Sequence, residues 1–179
     1  MHFSCWLPFG YVLYGIHQRK LGADPQEAVL ETFGLWALIF LLLCLSLSPL
    51  ASILKKRILI RYRRMLGLYF AFYLSLHLTT FFVFFAEIDI NFLIAEIWDR
   101  PYIFIGILAW VLTLPLIFTS TKKMQRYLGR RWKKLHQLTY LIAVLGVSHF
   151  LWQSKSDLNE PLIYMIWLLV LFGYRLNRK

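Results

Sequence analysis

Three histidines lie inside long apolar stretches of the sequence, His77, His136 and His149, and imidazole is the side chain there best suited to bind a metal. His77 and His149 fall on segments that run in the same direction through the chain's alternating apolar blocks. Counted at about 1.5 Å per helical residue, His77 stands about 18 Å beyond Met65 and His149 about 24 Å beyond Lys133, so the two sit at similar height. Two imidazoles at one level on neighbouring helices are what a haem iron needs for an axial nitrogen on each face. Iron filled from both sides favours electron transfer over oxygen chemistry. The alternative is that each histidine simply hydrogen-bonds a neighbouring helix.

His136 precedes His149 by 13 residues, about 20 Å lower on a straight helix and on a different side of it. The position 13 residues before His77 is Arg64, so an inner haem built in the same way lacks its second ligand. Arg64, Arg63, Arg61, Lys133 and Lys134 form instead a cationic collar suited to haem propionates or to the phosphate of flavin mononucleotide (FMN). His2 and His17 lie at the terminus and at an outer edge and receive no role. No acid lies deep in an apolar block, which argues against a carboxylate proton relay or cation pathway. The two cysteines, Cys5 and Cys44, form no CxxC pair and suggest no thiolate metal site.

The elements that must hold these side chains are membrane helices. Of 179 residues 59% are hydrophobic and only 16% charged, well below a soluble protein's usual share of about 25%. The apolar blocks approach or reach the roughly 20 residues that cross a hydrocarbon core, and in lipid such segments satisfy their backbone as helices. The expected fold is an all-α integral membrane bundle of five to six transmembrane helices, a single domain over 1–179. The expected spans are 3–17, 28–49, 65–85, 102–118, 133–152 and 161–175. Asp24, Pro25 and Glu27 predict a capped start for the second helix. The segment from Asn91 to Trp98 predicts a short amphipathic helix on the outer surface, and Pro115 a kink in the fourth span.

The net charge of +11 sorts by loop. The segments between Leu50 and Arg64, between Thr119 and Lys134, and the C-terminal tail hold 16 of the 20 basic residues. All nine acids lie in the alternate segments. The positive-inside rule therefore places the basic loops and the C-terminus in the cytoplasm, and it explains the charge without nucleic acid.

Several strings resemble the MsrQ (YedZ) family: Gly22-Ala23-Asp24-Pro25, Arg63-Arg64-Met65-Leu66-Gly67-Leu68, His77-Leu78-Thr79, Arg100-Pro101-Tyr102, Phe118-Thr119-Ser120-Thr121, and Leu128 to His136, with His149 beyond. That family is the haem-binding membrane subunit of a bacterial methionine sulfoxide reductase system, within the ferric reductase-like transmembrane superfamily. The resemblance implies haem b and FMN as cofactors, and electrons drawn from the quinone pool or a cytosolic flavin reductase. It implies delivery across the bacterial inner membrane to MsrP, a periplasmic molybdopterin enzyme that repairs oxidised periplasmic proteins. It also implies His77 and His149 as axial ligands and His136 as an alternative or inner ligand. The first helix is several residues shorter than the family's.

The expected function is thus a redox subunit whose sulfoxide chemistry belongs to the partner. A ferric reductase is the nearest competitor, though it is expected to carry a fused flavin and nicotinamide domain, for which these loops are too short. A transporter or cofactor-free anchor is the competitor from another class.

Overall fold

The structure, a computed structural model, describes residues 2–86, 88–154 and 157–177. Glu87, Lys155, Arg178 and Lys179, which enter the charge pattern above, lie outside them. Among the described residues there is no strand. The helices in chain order are α1 (His2–Gln18), α2 (Pro25–Ile53), α3 (Arg63–Phe84), α4 (Ile90–Asp99), α5 (Pro101–Phe118), α6 (Lys122–Leu128), α7 (Arg130–Leu135), α8 (Leu138–Gln153) and α9 (Asn159–Leu176). A 3-10 turn over Arg57–Tyr62 leads into α3.

Among the described residues, four segments are long and apolar enough to cross a membrane: Pro25–Ile53, Arg57–Phe84, Pro101–Phe118 and Arg130–Gln153. With α1 and α9, at 17 and 18 residues, they make six long segments, in line with the expected bundle. The most buried helix is α2, whose Leu41, Leu42 and Leu45 have almost no exposed surface. It packs against α1, α3, α8 and α9, while α5 lies mainly along α8. Apolar side chains on the rim, such as Ile166, Leu169 and Val170, stay exposed, as lipid-facing residues do.

The start of α2 follows its sequence signals. The Asp24 carboxylate accepts from the Gln26 and Glu27 amides at 3.0 and 3.1 Å, and Pro25 opens α2, where no amide hydrogen is needed. Asp89 caps α4 in the same way, accepting from the Asn91 amide at 2.8 Å. The expected end of the second span at Pro49 is not observed, and α2 continues to Ile53. Pro49 has no amide hydrogen, which leaves the Leu45 carbonyl without its helical partner. Arg175 of α9 donates to that carbonyl at 2.7 Å and lies over the Tyr140 ring at 4.9 Å. A second repair joins α1 to α3. The buried Tyr73 hydroxyl donates to the Cys5 carbonyl at 2.7 Å and accepts from the Phe9 amide at 3.2 Å. It stands between two groups that pair with each other in a regular helix, beside Pro8.

The expected helix over 133–152 is corrected to two, α7 and α8, with His136 and Gln137 between them. The Thr139 hydroxyl donates to the His136 carbonyl at 2.8 Å and competes with a continuing helical ladder. The straight-helix spacing of His136 and His149 therefore does not apply.

The basic segments share one end of the bundle. The Cys44 thiol in the C-terminal half of α2 donates to the Arg63 carbonyl at 3.2 Å, Arg63 acts electrostatically on His136, and Arg175 reaches α2. At the other end, Glu31 of α2 lies within electrostatic reach of Glu160 of α9.

Candidate functional site

His77 points from α3 and His149 from α8 into one place, with ring centres 6.2 Å apart and planes at 85°. Each ring is held from behind by a main-chain carbonyl. His77 Nδ1 lies 2.9 Å from the Leu30 oxygen on α2, and His149 Nδ1 lies 2.7 Å from the Tyr102 oxygen in the first turn of α5. A carbonyl can only accept, so both Nδ1 atoms carry the proton and both Nε2 atoms keep a free lone pair. Metal-binding histidines are oriented and made more basic by such a bond on the far nitrogen.

The spacing suits one metal between the rings. Two nitrogens about 2 Å from a common ion, with about 1 Å more from each nitrogen to its ring centre, put the centres about 6 Å apart. An ion held by side chains alone wants three or more, and no such group of His, Cys, Asp or Glu exists among the described residues. A pair of opposed imidazoles instead fits an iron whose equatorial positions a porphyrin fills, so these residues fit haem.

His136 is elsewhere. Its ring stacks on Trp132 at 4.0 Å between centres, and its Nε2 lies 3.1 Å from the Thr119 hydroxyl. That hydroxyl already donates to the Pro115 carbonyl at 2.6 Å, so here it accepts, and His136 Nε2 bears the proton. The nitrogen left with a lone pair is Nδ1, the reverse of the other two histidines. Trp132 closes the cluster by donating to the Thr119 carbonyl at 2.9 Å.

Within the collar, Arg63 and Arg64 face different ways. Arg63 opens α3 beside Cys44 and His136. Arg64 lines a groove of about 480 Å³ between α1 and α3, with Arg61 and His2 and the aromatic walls of Trp6, Tyr69 and Phe72.

Residue types alone did not mark the main-chain partners. Leu30, Gly34 and His77 precede Tyr102, Gly106 and His149 by 72 positions each. The same offset relates the buried pairs Ala37 with Ala109, Phe70 with Ile142 and Ala71 with Ala143. The site is therefore built twice, by α2 with α3 and by α5 with α8, and comparing the sequence with itself at that offset exposes the pattern.

The ferric reductase like transmembrane component family matches residues 33–147, a stretch that holds His77 and His136 and stops just short of His149. The protein-methionine-sulfoxide reductase heme-binding subunit MsrQ of Xanthomonas euvesicatoria is 45% identical over 159 residues, covering 89% of this chain and 73% of that one. The proteins of the same name from Xanthomonas oryzae and Xanthomonas campestris are 44% and 45% identical over the same shares. No solved structure matches.

Proposed function

The chain belongs to the ferric reductase-like transmembrane family and, within it, to the MsrQ heme-binding subunits, and from that premise we propose that it is a membrane electron-transfer subunit. Haem b, when bound, would supply a one-electron iron centre. His77 and His149 would hold that group, and the Leu30 and Tyr102 carbonyls keep each ring in the tautomer that offers Nε2. The observation that carries the reading is this pair of rings, each with Nδ1 committed to a carbonyl, at a spacing of 6.2 Å between centres.

Electrons enter at the basic end, which is cytoplasmic, and leave from the opposite end. Their source is the quinone pool or a cytosolic flavin reductase, and FMN belongs to the basic end, where Arg61 and Arg64 at the groove supply charge for a phosphate. The recipient is MsrP in the periplasm, docked on the acidic loops of this inner-membrane protein, and the sulfoxide chemistry is the partner's.

Optical spectra of the detergent-purified protein, oxidised and dithionite-reduced, test the core of this reading. Wild type should show sharp reduced b-type bands that His77→Ala and His149→Ala each abolish. Bands that survive either substitution at full intensity overturn the ligand pair, and a colourless wild type purified from haem-replete cells overturns the function.

A further inference from the structure

We infer that Gly34 and Gly106 are positioning residues for the two haem-binding imidazoles, each acting by leaving bare the carbonyl four residues before it. The inference rests on the ligand reading above.

A helical side chain leans toward the N-terminus and covers the turn before its own Cα. Residue 34 therefore overhangs the carbonyl of residue 30, and residue 106 overhangs that of residue 102. With glycine at both positions, that patch of helix surface is open to a ring from the facing helix. A Cβ built on Gly34 lies 2.8 Å from His77 Nδ1 and 2.9 Å from Cε1; one built on Gly106 lies 3.0 Å from His149 Cε1 and 3.1 Å from Nδ1. The contact at Gly34 is closer than an unbonded Cβ stands, so the His77 ring has to shift; the contact at Gly106 is tighter than nearly all such contacts, so the His149 ring has to give by a few tenths of an ångström. Each ring moves away from the carbonyl that fixes its tautomer.

Neither glycine is called for by its backbone, since both sit inside helices, where glycine is the poorer choice over alanine. Nor does every helical glycine here meet a side chain: a Cβ on Gly173 or Gly10 has nothing within 4 Å. The same relation, a carbonyl, a glycine four residues on and a histidine 43 residues beyond the glycine, occurs in both halves at the 72-residue offset. A chance packing contact has no reason to be duplicated with its register intact.

The test uses the full chain in detergent, comparing Gly34→Ala and Gly106→Ala with Gly173→Ala as the control and His77→Ala as the reference for a lost ligand. Haem affinity, the g-values of the oxidised low-spin iron and its midpoint potential are measured on each. Gly34→Ala and Gly106→Ala should each weaken haem binding about 10-fold or more, the usual effect of losing a partner behind a ligand. The haem they retain should have shifted g-values and a raised midpoint potential, because an imidazole without its carbonyl donates less charge to ferric iron. Gly173→Ala should match wild type. If His77→Ala removes haem while both glycine variants keep wild-type affinity, g-values and potential, the inference fails and the ligand reading stands. If His77→Ala retains haem, the ligand reading itself fails. Should one glycine variant not accumulate, the other, in the opposite half, carries the same test.

Discussion

At the scale of single residues the three membrane histidines divide by which nitrogen they offer. His77 and His149 commit Nδ1 and present Nε2, whereas His136 commits Nε2 to Thr119 and packs its face on Trp132. His136→Ala should therefore leave the reduced b-type bands of the opposed pair in place, measured by optical spectroscopy beside His77→Ala, which should lose them. Loss of the bands in both returns His136 to the role of ligand. The pairing of His77 with His149 was legible because helical rise turns sequence separation into height, and the two counts differ by only about 6 Å, roughly one helical turn. Gly34 and Gly106 were not, because their contribution is the absence of a side chain and their partners are main-chain atoms common to every residue. Arg64 takes the place of an inner histidine and faces a groove beside α1, a position that spacing alone could not give.

At the scale of elements, two proline-disturbed helices are completed by side chains from other helices. Arg175→Met should orphan the buried Leu45 carbonyl and destabilise the bundle by about 1–3 kcal/mol. Pro49→Ala restores an amide hydrogen at that turn, so the double variant should recover much of the loss. Thermal midpoints of the four proteins in detergent form the cycle, and additive effects would show that the arginine and the proline are not coupled. Sequence signals placed the start of α2 at Asp24 and Pro25 because capping is chemistry between neighbours. They ended α2 too early, because the group that lets it run past Pro49 lies 130 residues away from Leu45. They joined α7 to α8 for a related reason: the run from Lys133 to Trp152 looks continuous until the Thr139 hydroxyl bonds back to His136.

At the scale of the whole molecule, composition was enough for the fold class, since a chain this apolar has few ways to satisfy its backbone in lipid. The sorting of charge predicts an orientation that can be tested directly. In a protein with Cys5 and Cys44 replaced by alanine, Lys123→Cys should react with an impermeant maleimide only in inverted vesicles. Asp157→Cys should react in intact spheroplasts. The reverse pattern overturns the orientation, and labelling of both from one side overturns the number of crossings between them. The bond from Arg175 to Leu45 also bears on how the protein is made. At about 5–20 residues per second the ribosome needs on the order of ten seconds to add the intervening chain. Through that interval the Leu45 carbonyl has neither its helical partner nor Arg175. Only a chain extended through α9 carries the group that closes that turn, so a nascent chain stalled before α9 keeps a polar flaw in its most central helix.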